Sequence, residues 1–125
     1  MANFESKRVR DIKKAQKEKL FFREVSQLFL QMTLDDNRIR DIHVNRVELS
    51  ADKSMCYIYF YTPKGTEGFK EKLDILKLYK PSLRTALAAK IKARYTPDLV
   101  FMFDEQYEKQ EKIERLFDEI KKTEE

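Results

Sequence analysis

The chain has 125 residues, of which 42% are hydrophobic and 38% charged, and its formal net charge is +4. This length supports one domain with a single core, and the apolar content excludes wholesale disorder. No apolar run reaches the ~18–20 residues that cross a membrane, and the N-terminus lacks the apolar stretch of a secretory signal, so we expect no membrane partner. With a single cysteine no disulfide can form within the chain, so we expect a reducing, cytoplasmic setting.

The first half of the chain predicts a helix followed by a β-hairpin. The helix is expected at 5–32: apolar residues recur every three or four positions from 21 to 32, which is the spacing of one buried helix face, and the pattern before residue 19 is weaker. Two alternating segments, 42–49 and 55–61, predict antiparallel strands joined by a turn at 50–53. Apolar residues of the first strand change parity near Arg46, which allows a β-bulge or burial on both faces. The second strand is expected to turn one set of side chains to the helices and the other to a half-exposed face, respectively Cys56, Ile58 and Phe60, and Tyr57, Tyr59 and Tyr61.

The second half predicts two helices on either side of a proline, then a strand and a last helix. Helical spacing of apolar residues covers 67–79 and 82–93, and Pro81 between them is expected to end or kink the helix because proline lacks an N–H donor. The apolar segment 99–103 predicts a third strand, and an amphipathic pattern predicts a helix at 105–122. The expected fold class is therefore α+β, with a three-stranded sheet and helices packed on one of its faces.

Charge is unevenly distributed along the sequence. Residues 1–23 carry a net charge of +5, residues 77–94 carry six Lys or Arg and no acidic residue, and residues 105–125 carry a net charge of −3. Clustered positive charge fits a polyanionic partner, most simply a nucleic-acid backbone. The candidate RNA-binding residues of the two basic segments are Lys77, Lys80, Arg84, Lys90, Lys92 and Arg94, together with Lys7, Arg8, Arg10, Lys13 and Lys14.

The sequence lacks the residue patterns of a catalytic centre. Its one histidine, His43, lies in a predicted strand, and its one cysteine, Cys56, is expected to be a small buried hydrophobe. Adjacent Asp35 and Asp36 are expected to serve in a turn and a helix cap. A chain with a single cysteine has no multi-cysteine metal site, and two glycines supply no phosphate-binding loop motif. We therefore expect no enzyme activity, no cofactor and no metal.

Three segments have the order and spacing of motifs in a known family. They are 44–60, a strand–Ser-x-Asp–strand hairpin; 83–104, with Leu-Arg followed ten residues later by Arg and then by Pro-Asp-Leu-x-Phe-x-Phe-Asp; and 36–39, Asp-Asn-Arg-Ile. Together with the apolar helix before them, they resemble the ribosome-binding factor A family of bacterial small-subunit assembly factors. The resemblance covers about residues 20–117, and Asn37 stands where the family has proline.

The resemblance implies a type II KH-like domain, in the order helix, strand, strand, helix, kink, helix, strand, with an additional C-terminal helix. The family carries Ala-x-Gly at the kink, and Tyr79-Lys80-Pro81 stand at that place in this chain. The corresponding division is a basic N-terminal lead-in at 1–18, a KH-like domain at 19–104 and a C-terminal amphipathic helix at 105–125.

The function that the resemblance implies is non-catalytic. The chain is expected to bind the small ribosomal subunit and its rRNA during late maturation, to assist processing or folding of the rRNA near its 5′ end, and to be a monomer when free. The alternative is a protein–protein interaction module, in which the C-terminal helix and the strand tyrosines bind a partner and the basic face is incidental.

Overall fold

A computed structural model describes residues 2–92 and 94–124, with side chains from residue 7 to residue 123 within those ranges. The described residues form helices and strands in the order that the sequence predicts for an α+β fold. In chain order these are α1 (Ala2–Asp35), a 3₁₀ turn (Asn37–Ile39), β1 (His43–Leu49), β2 (Met55–Tyr61), α2 (Gly65–Ile91), β3 (Asp98–Phe103) and α3 (Glu105–Glu124).

Strand β2 is the centre of the sheet, antiparallel to β1 and parallel to β3. The register of the hairpin shifts between Val44 and Arg46, which places a β-bulge at Asn45. Because a bulge adds one residue to one strand, Val44 and Val47 both pack toward the helices although they differ in parity. The bulge therefore accounts for the parity change in the sequence.

The core lies between one face of the sheet and helices α1 and α2. Phe60 of β2 is fully buried, and its ring lies 5.1 Å from that of Phe29 in α1, 6.1 Å from Phe69 in α2 and 5.2 Å from Phe101 in β3. The ring of Phe60 thus packs among aromatic rings from both helices and from the neighbouring strand β3. The set of β2 side chains expected to face the helices is buried as predicted, namely Cys56, Ile58 and Phe60.

Helix α2 continues through Pro81, so of the two effects predicted for this proline, an end or a kink, the end is wrong. The proline removes the amide that would bind the carbonyl of Lys77, four residues earlier. Lys77 and Pro81 are both on the exposed side of α2, so water can donate to the Lys77 carbonyl in place of the missing amide. Buried leucines before and after the proline, Leu76 and Leu83, hold both parts of the helix against the same core, and this packing outweighs the local preference for a break.

Helix α1 reaches beyond the sheet. Helix α1 has 34 residues and a length of about 51 Å. The side chain of Glu18 accepts a hydrogen bond of 2.8 Å from the amide of Leu49, the last residue of β1. Residues of α1 before Glu18 therefore extend past this end of the sheet, and their side chains from 7 to 16 are exposed apart from a half-buried Lys14.

Candidate nucleic-acid interface

The C-terminal end of α2 is turned back by a residue in the left-handed region. Lys92 has a φ of 54°, and its amide donates to the carbonyl of Ala88 at 3.2 Å, which closes the last turn of the helix. The following loop returns beside α2 before β3 begins at Asp98. This reversal brings Arg94 and Tyr95 next to the surface of α2 around Pro81.

An open cleft of about 520 Å³ lies between α2 and this loop. The guanidinium of Arg94 lies 5.5 Å from the ring centroid of Tyr95, and that ring is 77% exposed. Proteins bind single-stranded RNA with this combination of cationic groups and exposed aromatic rings. The cleft is lined by Pro81, Arg84, Thr85, Ala88, Arg94, Tyr95 and Thr96.

Arg84 holds the wall of the cleft in place. Its Nη2 donates to the carbonyl of Thr96 at 2.9 Å, and its Nε donates to the carbonyl of Pro97 at 3.2 Å. The same guanidinium forms an ion pair of 3.4 Å with Asp98. Arg84 thus combines a positive charge at the cleft with a positioning role for the α2–β3 loop.

The other basic residues of α2 point in different directions. Lys77 is exposed and lies one turn before Pro81, on the helix face that lines the cleft. The ammonium group of Lys80 lies 5.1 Å above the ring of Phe101, so this half-buried side chain turns toward the sheet. Lys90 is exposed about 180° around the helix from Pro81. Two of the six predicted residues of this segment therefore line the cleft, Arg84 and Arg94, and Lys77 lies one helical turn from it.

Both basic segments lie at the same end of the sheet. Leu49 contacts Glu18 of α1 at this end, and the amide of Asp98 donates to the carbonyl of Ser54 at 3.0 Å there. Arg84, which lines the cleft, forms its ion pair with Asp98 at this same end of the sheet. We call this region the basic end; it comprises the cleft, the 50–54 hairpin and the part of α1 before residue 18. The predicted α1 residues all project here, namely Lys7, Arg8, Arg10, Lys13 and Lys14.

The segment Tyr79-Lys80-Pro81, which stands where the family has its kink, is bonded to the residue that follows α1. Tyr79 donates a hydrogen bond of 2.6 Å to the carboxylate of Asp36, which also accepts from the backbone amide and the guanidinium of Arg38. These hydrogen bonds, first of all the one from Arg38, hold the pKa of Asp36 well below its ordinary value. Asp36 caps the 3₁₀ turn as its sequence position predicts.

A second buried carboxylate lies where β3 ends. Asp104 is 1% exposed and accepts hydrogen bonds of 2.8 Å from both the amide group of Asn45 and the Nε of Arg46. Its Oδ1 also caps α3 by accepting from the amide of Tyr107 at 3.2 Å. Burial alone would raise the pKa of Asp104, but these hydrogen bonds lower it below the ordinary value. The β1 bulge thus has a role in aiming two donors at one acid.

Two of the sheet tyrosines are already engaged within the protein. The guanidinium of Arg46 lies 3.9 Å from the ring centroid of Tyr59 and covers that ring. Tyr61 donates a hydrogen bond of 2.5 Å to Glu111 of α3, and this bond, together with burial, raises its pKa to about 12. The predicted half-exposed face of β2 is confirmed, and internal packing accounts for both rings.

The described part of the chain contains no group of three or more His, Cys, Asp or Glu side chains placed to hold a metal ion. Among its helices, none combines the length and apolar character needed to cross a membrane. Cys56 is buried, and burial raises the pKa of its thiol to about 12.

The sequence model of ribosome-binding factor A matches residues 13–117 of this chain. The chain belongs to the ribosome-binding factor A family. A ribosome-binding factor A of Thermodesulfovibrio yellowstonii is 32% identical over 113 residues, which are 90% of this chain and 95% of the relative. The crystal structure of ribosome-binding factor A from Thermus thermophilus superposes with a TM-score of 0.60 at 29% identity, over 71% of this chain and 93% of that one.

A further Thermus thermophilus structure in the family is a homology model fitted into a cryo-electron microscopy map of a complex between the 30S subunit and ribosome binding factor A. It matches with a TM-score of 0.50 and 28% identity, over 71% of this chain and 88% of that one. These matches confirm the predicted family and fold. Residues 1–12 precede the part of this chain that the family's sequence model covers, so Lys7, Arg8 and Arg10 lie outside it.

Tyr95 is the cleft residue that sequence reasoning missed. The sequence feature that could have identified it is an aromatic residue between Arg94 and Pro97, in a loop that follows a basic helix. The alternation of apolar residues drew attention to the strand tyrosines instead, because only tertiary structure shows that Arg46 and Glu111 already engage two of them.

Proposed function

We propose that this ribosome-binding factor A family member is a cytoplasmic assembly factor that binds the small ribosomal subunit and its rRNA during late maturation. Its family supports ribosome binding, and the relative fitted into a 30S complex map supports the small subunit as the partner. The finer role is assistance in processing or folding the rRNA near its 5′ end. The chain acts by binding alone, as a monomer when free.

The observation that carries this proposal is the cleft at the basic end. Arg94 supplies positive charge on the loop side and Arg84 on the α2 side, with Lys77 one turn further along α2, and the exposed ring of Tyr95 offers a stacking surface for a base. Arg84 fixes the spacing between the two sides through its bonds to the loop carbonyls. Phosphates bound here would release condensed counterions, so affinity should fall steeply with salt concentration.

The basic part of α1 gives a second contact on the same side of the molecule. Its exposed lysines and arginines continue the positive surface along the helix beyond Glu18. We propose that 1–18 is a basic lead-in that follows the rRNA backbone, that 19–104 is the KH-like domain holding the cleft, and that 105–125 is a separate amphipathic helix.

Sedimentation with purified small subunits tests the proposal. The variant Lys77→Glu/Arg94→Glu reverses one charge in the cleft and one beside it, and it leaves in place Arg84, which bonds to the loop carbonyls. The control Lys121→Glu/Lys122→Glu makes the same change of net charge on exposed positions of α3. We expect the cleft variant to remain in the supernatant and both the control and the unmodified protein to sediment with subunits.

Circular dichroism should be the same for all three proteins, since every substituted side chain is exposed. Sedimentation of the cleft variant at the level of the unmodified protein would refute the cleft as the rRNA contact. A failure of the unmodified protein to sediment with small subunits would refute the assembly-factor function itself.

A further inference from the structure

Strand β3 is an edge of the sheet, and no strand of the described chain pairs with its outer side. The amides of Asp98 and Asp104 donate to carbonyls of Ser54 and β2, and in a parallel ladder every second residue between them also bonds to β2. The amides and carbonyls of the other three residues point away from β2, at Leu99, Phe101 and Phe103. Such a row of outward groups can pair with a further strand.

The opposite edge of the sheet, β1, offers no comparable row. The amide of its last residue, Leu49, already donates to the side chain of Glu18 in α1. The β-bulge at Asn45 interrupts the regular spacing of the backbone groups further along this strand. A regular set of outward donors and acceptors is therefore found along β3.

An open groove of about 530 Å³ follows the outer side of β3. Phe69, Lys70 and Leu73 of α2 line it on the helix side of the sheet, and Tyr59 and Met102 line it on the other face. A strand added to β3 would lie about 4.8 Å away and turn its side chains alternately to these two sides. The groove thus has a separate wall for each set of side chains.

The helix side of this groove is basic. Lys70, Lys77 and Lys80 lie within an arc of about 80° on the flank of α2 that faces β3, and no acidic residue of α2 falls within that arc. The ammonium group of Lys80 lies 5.1 Å from the ring centroid of Phe101, directly beside the edge strand. Within the described part of the chain, the three lysines take part in no ion pair.

Acidic side chains lie only around the rim of this surface. Glu105 lines the groove at its far end, where α3 begins. Asp98 is at the other end and forms its ion pair with Arg84. Asp74 lies about 40° beyond Lys70, on the solvent side of the arc. The positive charge beside the middle of β3 is therefore available to a partner.

We propose that β3 binds an extended, acidic segment of a partner protein as a fourth strand of the sheet. The backbone of this segment pairs with the outward groups of β3, as in other proteins that bind peptides by strand addition. Its carboxylates face Lys70 and Lys80, and its alternate apolar side chains pack beside Met102. This protein contact goes beyond the proposed rRNA contact and does not depend on it.

The same features disfavour RNA and a second copy of the chain as the occupant. Phosphate oxygens only accept hydrogen bonds, so a phosphate backbone leaves the outward carbonyls of β3 without donors, whereas a peptide backbone supplies donors and acceptors. Two copies paired through β3 would be related by a two-fold axis, which would bring the lysines of both α2 helices together. An acidic strand replaces that repulsion by attraction.

NMR titration of the full chain with synthetic peptides tests the inference. The probe is a heptapeptide that alternates glutamate and valine and spans about 23 Å, enough to cover β3. A heptapeptide that alternates lysine and valine is the control for charge. We expect only the acidic peptide to bind, and to slow amide hydrogen exchange about tenfold at Leu99, Phe101 and Phe103. Val100 and Met102, whose amides already bond to β2, should exchange as before.

Charge reversal on α2 gives a second test. Lys70→Glu/Lys80→Glu should bind the acidic peptide about tenfold more weakly and gain affinity for the basic one. Lys121→Glu/Lys122→Glu makes the same change of net charge on α3 and should behave as the unmodified protein. Circular dichroism establishes that both variants are folded.

Three results would overturn the inference: equal binding of the two peptides to the unmodified protein, peptide binding that leaves the outward amides of β3 unprotected, or protection of those amides by oligouridine or by a higher protein concentration alone. The peptide experiment contains no ribosomal component. A failure of the unmodified protein to sediment with small subunits would therefore refute the proposed function and leave the β3 contact standing.

Discussion

Arg46 reaches across the ring of Tyr59 to bind the carboxylate of Asp104, from the bulge of one edge strand to the end of the other. A side chain thereby links the two edge strands, which do not pair with each other through their backbones. Asp104 in turn caps α3, so the bulge, the sheet and the base of α3 share one buried carboxylate.

Replacing this acid tests the connection. Asp104→Asn keeps the shape of the side chain but removes the charge that Arg46 faces, and we expect the free energy of unfolding to fall by about 1–3 kcal/mol. Asp118→Asn, at an exposed position of α3, should change it by less than about 0.5 kcal/mol. Urea unfolding of both variants gives the comparison.

The difference in unfolding free energy between the unmodified protein and Asp104→Asn should become smaller as the pH falls. Because the folded state lowers the pKa of Asp104, the contribution of its charge is complete above the ordinary aspartate value near pH 4 and is lost as the pH falls through the folded-state value. Unfolding curves between pH 2 and pH 7 should therefore converge on the acid side. A constant difference across this range would contradict the role of the ionised carboxylate.

Tyr61 should ionise only at high pH. Its hydrogen bond to Glu111 raises its pKa to about 12, against about 10 for an ordinary tyrosine. Glu111→Gln removes the nearby negative charge and should bring the pKa of Tyr61 back toward the ordinary value. Carbon NMR of labelled tyrosine follows this titration, and an unchanged pKa in the variant would show that the two side chains do not meet.

Arg84 should matter through its geometry as well as its charge. Arg84→Lys keeps the positive charge but loses the paired bonds to the carbonyls of Thr96 and Pro97. We expect a loss of about 1–2 kcal/mol in the free energy of unfolding and weaker rRNA binding, because the loop that carries Arg94 is no longer held. Lys90→Ala, at an exposed position away from the cleft, is the control; full rRNA affinity in Arg84→Lys would exclude a positioning role.

Pro81 destabilises the helix that contains it. Pro81→Ala restores an amide donor to the carbonyl of Lys77, and we expect the free energy of unfolding to rise by about 1–2 kcal/mol after allowing for the greater entropy of the unfolded chain. Chemical denaturation measures the change. A destabilised variant would mean that α2 depends on a bend at the proline.

The element order and the core were predictable because apolar periodicity encodes them directly. Cys56, Ile58 and Phe60 alternate in the sequence and are all buried in β2. The continuity of α2 was not predictable from local rules, because proline penalises a helix locally and the leucines on either side act only through tertiary packing. The exposure of the apolar residues of α3 was not predictable for the same reason. Amphipathic spacing shows that a helix has an apolar face but does not show whether another part of the protein covers it.

The candidate site was predictable as a basic segment and not as a cleft. Counting charges selected Lys80 together with Arg94, and only the structure shows that Lys80 lies over Phe101. The left-handed turn at Lys92, which brings Arg94 back beside Pro81, occurs at a residue type that rarely adopts it. A lysine gives no sequence signal for such a turn, whereas a glycine would have done so.

The salt dependence of rRNA binding tests the cleft as a phosphate-binding site most directly. The affinity of the unmodified protein for small-subunit rRNA should fall linearly on a plot of log K against log salt concentration. Each phosphate contact that is removed should reduce the steepness by about 1, so Lys77→Gln/Arg94→Gln should lower it by about 2. Lys121→Gln/Lys122→Gln should leave it unchanged. A cleft variant whose slope equals that of the unmodified protein would contradict the account.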